Sequence, residues 1–181
     1  MPDLTSLPNE FKKSGPTCRA IIETPKGSRN KFDYDPETGL FKLGGLLPLG
    51  MIFPFDFGFI PSTLGDDGDP LDVLVLMDAP AHVGCLIDVR LVGVIDAKQT
   101  HHGKTERNDR LLGAAVHSYQ HSHITSINDV TDTLLSQIEE FFISYNLERG
   151  KKFKVISTNG PKKAIKMVKA GIRAHKDKNS G

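Results

Sequence analysis

Seven consecutive residues, Asp66-Asp67-Gly68-Asp69-Pro70-Leu71-Asp72, carry four of the chain's carboxylates together with a glycine and a proline. Asp67, Asp69 and Asp72 repel one another and raise each other's pKa unless a cation sits between them. Gly68 permits close backbone approach, and Pro70 fixes the turn between Asp69 and Asp72. Hard oxygen donors of this kind suit Mg2+ or Mn2+ and fit zinc poorly. The spacing lacks the later Glu and the flanking helices of a calcium-binding helix-loop-helix. Taken alone, the segment equally describes an acidic surface turn capped by its own side chains. Its company weighs toward chemistry: Glu23 on a β-branched strand, Lys31-Phe32-Asp33 on a second, and a Phe/Gly segment from Phe53 all precede it.

The elements that must position these groups are mostly strands. Cys18 to Thr24 alternates weakly and leads to a Pro25-Lys-Gly turn. Asn30 to Asp35 puts Phe32 and Tyr34 on one face and Lys31 and Asp33 on the other. Asp35-Pro-Glu-Thr-Gly is a turn by its chemistry, and Leu40 to Leu43 returns to complete a hairpin. Val73 to Met77, Cys85 to Leu91, Val92 to Ile95 and Leu111 to Val116 read as further strands, and residues 97–110 as a polar loop. Leu134, Leu135, Ile138, Phe141, Phe142 and Tyr145 recur at helical spacing, with cap candidates between Asn128 and Asp132 and a stop at Gly150. A second helix opens at Pro161 and buries Ala164, Ile165, Val168 and Ile172. Many short strands followed by two helices predict a single α+β domain, most simply a small closed barrel with the helices packed outside. Residues 1–16 read as an extended arm.

Composition narrows the function classes. A chain of 181 residues with 38% hydrophobic content can bury a sizeable core. A formal net charge of +1 and the absence of Trp argue against a nucleic-acid partner, which needs basic surface and stacking platforms. No stretch is long enough to cross a bilayer, and Met1 to Gly15 lacks the apolar segment of a signal peptide. Cys18 and Cys85 form no Cys-x-x-Cys pair and are expected as one buried and one half-buried thiol in a reducing, cytoplasmic setting. His101 and His102 read as solvated loop residues. The His117 to His123 cluster reads as capping or packing, with metal ligation the alternative. The lysine pairs Lys151-Lys152 and Lys162-Lys163 read as solvated faces, one of which could restore positive charge near a substrate.

The stretch from Asp67 to Val73 resembles the metal-loop motif of family I soluble inorganic pyrophosphatases. Phe53-Pro-Phe-Asp-Phe-Gly-Phe-Ile resembles the aromatic segment that precedes it there. Ile21-Ile-Glu-Thr-Pro, Asn30-Lys-Phe-Asp, Val116-His-Ser and Phe141-Phe-Ile-Ser-Tyr match in order and spacing, so the likeness runs from about Cys18 to Phe153. The resemblance implies a five-stranded OB-like barrel with flanking helices, a small-molecule phosphate substrate, and a homo-oligomer, usually a hexamer in bacteria. It implies that Asp67 and Asp72 hold an activating metal pair and that Asp69 orients or deprotonates the attacking water. Glu23 and Asp33 would serve an outer metal, while Lys31, Arg110 and Tyr145 would face phosphate oxygens. Cations are needed because pyrophosphate's own charge repels an incoming hydroxide.

The chain departs from that pattern at several positions. Gly44-Gly45 stands where the family has a phosphate-binding Arg, Phe53 and Phe57 where it has tyrosines, and Asn146 where it has a Lys. The 97–110 segment lacks two metal-binding Asp; Asn108 falls at the second position, with Glu106 and Asp109 as the nearby substitutes. Each lost charged hydrogen bond is worth about 1.5–3 kcal/mol, and each 1.4 kcal/mol is about tenfold in rate. Three functions follow: a divergent Mg2+-dependent pyrophosphatase, a hydrolase of another phosphoanhydride or organic phosphate, or a non-catalytic homologue.

Overall fold

The computed structural model describes residues 3–11 and 15–180. After a 3-10 turn at Leu4–Ser6 come β1 (Thr17–Thr24), β2 (Asn30–Asp35), β3 (Leu40–Leu46), β4 (Asp56–Ile60) and β5 (Leu71–Leu76). These are followed by β6 (Leu86–His101), β7 (Lys104–Arg107), β8 (Arg110–Ala115), helix α1 (Asp132–Glu148), β9 (Lys152–Asn159) and helix α2 (Pro161–Asn179). Five strands close on one another. β1 pairs β4, β4 pairs β5, β5 runs parallel to β8, β8 pairs β6, and β6 returns to β1. Closure leaves the ring without an open edge. This is the expected OB-like arrangement, with both helices packed on it.

Side-chain alternation along β5 divides the interior into two cores. Val73 and Val75 face one core, which Ala164 and Val168 of α2 complete. Leu74 and Leu76 face the other, with Ile138, Phe141 and Phe142 of α1. The helix ends follow their chemistry. Thr131 caps α1 by accepting from the Leu134 N–H at 3.3 Å, and Pro161 opens α2 where its missing N–H costs nothing. Among the described residues no helix is long and apolar enough to cross a membrane.

The structure corrects several expectations. The two strands read between Cys85 and Ile95 are one, β6, whose pairing with β8 slips between Leu91 and Gly93. Residues 97–110 are not a loop: the end of β6 and β7 form a hairpin, with Lys98 opposite Arg107 and His101 opposite Lys104. All four residues of β7 are exposed, so no apolar alternation marked it. β9, between the two helices, was not anticipated; it pairs β6 from Val94 to Thr100 and buries Phe153. Cys18 is buried as expected, but Cys85 is exposed. The described part of the arm docks against the body, with Leu4 N–H donating to the Tyr34 hydroxyl at 3.1 Å and Ser62 N–H to Thr5 O at 2.6 Å. The rest of that arm, at residues 1–2 and 12–14, lies outside the described residues.

Candidate active site

The acidic segment is a built turn rather than a loose surface loop. Gly65 N–H donates to Asp69 O at 2.7 Å, and Gly68 N–H to Gly65 O at 3.1 Å. Gly68 has φ 90°, a conformation that disfavours a side chain. At the exit, Leu71 N–H donates to the buried Thr63 hydroxyl at 3.0 Å, and that hydroxyl donates to Ile60 O at 2.6 Å. Asp67 and Asp69 therefore sit on the turn, while Asp72 is the second residue of β5.

Strands bring the other groups to the same place. Glu23 lies near the end of β1, 9% exposed, with Oε1 accepting from Tyr34 N–H at 2.8 Å. Lys31 and Asp33 share one face of β2 and form an ion pair. Arg110 opens β8, 8% exposed, and donates to Asp72. Tyr145 approaches from α1, stacked on Phe141 with ring centres 5.9 Å apart. All eight residues singled out in the sequence line one cleft of about 540 Å³. Phe53, Phe57 and Phe142 make its apolar wall.

The electrostatics of the cleft are unbalanced toward carboxylates that would rather be neutral. Burial pushes Glu23 up to about 7, against the Tyr34 N–H and the Lys31 charge. Burial and then the Asp67 charge raise Asp69. Asp72 is raised by burial, opposed by Arg110 and Lys31. Burial lowers Lys31 despite Glu23 and Asp72, and raises the Tyr145 hydroxyl. Arg110 keeps its Nε buried with no hydrogen-bond partner. Raised carboxylates favour an added cation in this cleft, and the unpaired guanidinium nitrogen favours an added acceptor.

This donor set fits a hard divalent cation. Asp67, Asp69, Asp72 and Glu23 offer only oxygen, and the raised pKa values of Glu23, Asp69 and Asp72 mark positions where an added positive charge is favourable. Among the described residues no three acidic, imidazole or thiol groups are already gathered around one point. Arg110 and Lys31 instead stand against Asp72 and Asp33.

The far wall answers the question left open at residues 106–109. Asn108 reaches the cleft, its Nδ2 donating to Gln99 Oε1 at 2.7 Å. Asp109 turns away: it accepts from Ala97 N–H at 2.9 Å and pairs with Arg107 at 2.7 Å. Glu106 is exposed and pairs with Lys104. The cleft thus carries a neutral amide pair on this side. His101 and His102 sit at the β6–β7 turn, outside the cleft lining. In the histidine cluster, Ser118 donates to Asp78 at 2.5 Å and lies 3.0 Å from His121 Nδ1, a capping arrangement. Lys151 faces the cleft, as does Arg149, which sequence reasoning passed over. The available signal for Arg149 was its place four residues after Tyr145, one helical turn along the same face.

The chain was compared with known proteins. A family model described as inorganic pyrophosphatase matches residues 20–176. The inorganic pyrophosphatase of Thermus thermophilus is 37% identical over 179 residues, covering 97% of this chain and 99% of that one. The inorganic pyrophosphatase of Leifsonia xyli is 40% identical over 153 residues, 84% of this chain and 91% of its own. A crystal structure of the Thermus thermophilus protein superposes with a TM-score of 0.87 at 35% identity, over 97% of this chain and 99% of that one.

Proposed function

The chain belongs to the inorganic pyrophosphatase family, and from that premise we propose that its cleft hydrolyses pyrophosphate to two phosphates with a divalent metal, Mg2+ or Mn2+. The observation that carries this reading is the convergence of Glu23, Lys31, Asp33, Asp67, Asp69, Asp72, Arg110 and Tyr145 on one cleft. Asp67 and Asp72 would hold an activating metal pair, and Glu23 and Asp33 would serve an outer metal bound to substrate. When bound, such ions neutralise phosphate charge and make a bound water acidic enough to attack at neutral pH.

Asp69 takes the proton from the attacking water. Its carboxylate lines the cleft on the acidic turn beside Asp67, with no side-chain donor among the described residues, and so can accept a proton. The water oxygen bonds to one phosphorus as the bond from that phosphorus to the bridging oxygen breaks, and the second phosphate leaves with the bridging oxygen. Lys31 and Arg110 neutralise phosphate oxygens, and the Tyr145 hydroxyl donates to one of them. Arg110 is prepared for this by its unpartnered buried Nε. We propose that the protein works in the cytoplasm as a homo-oligomer, with a hexamer implied by the resemblance to its family.

A second reading is favoured by one feature. Phe53 and Phe57, 1% and 5% exposed, give the cleft an apolar wall that suits a phosphoanhydride bearing a less charged group. Phosphate release from pyrophosphate with Mg2+ or Mn2+, lost in Asp69→Asn, is the expected result. Release from another phosphoanhydride in a substrate panel, with none from pyrophosphate, would select the second reading instead.

A further inference from the structure

Two cations of the cleft, Arg149 and Lys151, make no ion pair among the described residues, and Arg149 is the one with a guanidinium. Arg149 follows the last residue of α1, and its N–H donates to Asn146 O at 3.0 Å. Gly150, at φ 69°, then turns the chain toward β9. The position of Arg149 is therefore set by the helix that presents Tyr145. Its guanidinium lies over the Tyr145 ring, with Cζ 5.4 Å from the ring centre. Lys31 and Arg110 are each ion-paired, whereas among the described residues Arg149 makes no ion pair.

Gly45 on β3 makes room for this arrangement. A Cβ placed on Gly45 would stand 2.8 Å from Arg149 Nη1 and 3.9 Å from its Cζ, and would meet nothing else within 4 Å. Gly45 pairs with Lys31 across the hairpin, so the guanidinium hangs over the strand pair that also presents Lys31 and Asp33. A planar guanidinium held this way offers two parallel N–H groups to a phosphate, which an ammonium cannot. Contact with the face of Tyr145 keeps it oriented.

We propose that Arg149 is a substrate-binding residue that grips the oxygens of one phosphate group of pyrophosphate, and that Gly45 is required because its missing side chain is the seat of that guanidinium. The assignment rests on the pyrophosphate reading above. It makes two residues far apart in sequence, at a helix end and on a strand, a single functional unit.

Calorimetric titration with imidodiphosphate, whose P–N–P bridge resists hydrolysis, tests it in the presence of Mg2+. Arg149→Ala is expected to weaken binding by about tenfold or more. Arg149→Lys should recover part of the loss. Gly45→Ala is expected to weaken binding in the same direction with Tm unchanged, because the new methyl meets only the mobile end of Arg149. In the Arg149→Ala background, Gly45→Ala should add nothing. Unchanged affinity in Arg149→Ala, or a further loss on adding Gly45→Ala to it, would overturn the assignment. Phosphate release by the same proteins separates the two levels. A wild type that binds imidodiphosphate through Arg149 but releases nothing from pyrophosphate overturns the proposed reaction alone. A wild type that turns over pyrophosphate, with Arg149→Ala equal to it in affinity and KM, overturns the Arg149 assignment alone. No binding by the wild type overturns both.

Discussion

Two acidic centres in this molecule treat their carboxylates in opposite ways. Asp96, on β6, is 1% exposed, yet donors reach both of its oxygens. Arg107 reaches Oδ1 at 2.9 Å, while Ser157, Asn159 and Lys163 reach Oδ2 at 2.9, 2.5 and 2.6 Å. Burial acts to raise its pKa, but Lys163, Ser157 and Asn159 more than offset that, and Asp96 is held below the ordinary carboxylate range. Glu23, Asp69 and Asp72 line the cleft with their pKa values raised, and Asp69 is given no side-chain donor at all among the described residues. The first centre is complete, tying β6 to β9 and α2. The second is arranged for positive charge that must come from outside the chain. In these two centres the role of the acids is legible in whether the protein has itself neutralised them.

The sharpest way to break this contrast is to neutralise one member of each centre. Asp69→Asn should cut phosphate release by about a thousandfold, within the range for loss of a general base, while Tm stays level or rises as repulsion with Asp67 is relieved. Asp96→Ala should do the reverse. It should destabilise the fold by about 3 kcal/mol in urea unfolding, toward the low end for a broken buried pair because Lys163 and Arg107 are half exposed and regain water, and leave the turnover of folded protein intact.

Metal addition sharpens the contrast further. Mg2+ at a hundredfold over its Kd should stabilise the wild type by about 2.7 kcal/mol in thermal melts. Asp72→Asn should abolish that shift, and Asp96→Asn should keep it. A shift that survives Asp72→Asn would place the ion elsewhere.

The smallest expected effect is in the pH profile of the metal-free protein. Asp78 belongs with Asp96: the Ser118 hydroxyl, then the N–H groups of Tyr119 and Gln120, hold it down to about 2. A lowered carboxylate contributes stability that is present above its unfolded value of 3.8 and is lost as pH falls through its folded value. The urea midpoint should therefore fall between pH 4 and about 2, and Asp78→Asn should flatten part of that fall. A midpoint that is level across this window would mean that Asp78 is not satisfied as its contacts indicate.

The cleft was largely legible in the sequence because its acidic turn is contiguous. Asp67, Gly68, Asp69 and Pro70 specify their own geometry within a few bonds, and Glu23, Lys31 and Asp33 lie on strands whose alternation shows which face they share. The ring of strands followed from the many short strands ahead of two helices and from the family resemblance. The far wall was not legible, because what faces the cleft there depends on the pairing of β6 with β7 and β8. The register that sends Asn108 to Gln99 and Asp109 to Ala97 is a long-range property, and a one-residue slip would exchange them. The hairpin itself read as a loop because β7 buries nothing. Arg149 was missed for a similar reason: its role depends on a glycine about a hundred residues earlier in the chain.

Anomalous diffraction from a crystal soaked in Mn2+ tests the central claim most directly. The expected result is an ion bound by oxygens of Asp67 and Asp72, with Arg110 withdrawn from Asp72. Occupied Mn2+ sites elsewhere, with Arg110 still paired to Asp72 and no ion among the three aspartates, would contradict it.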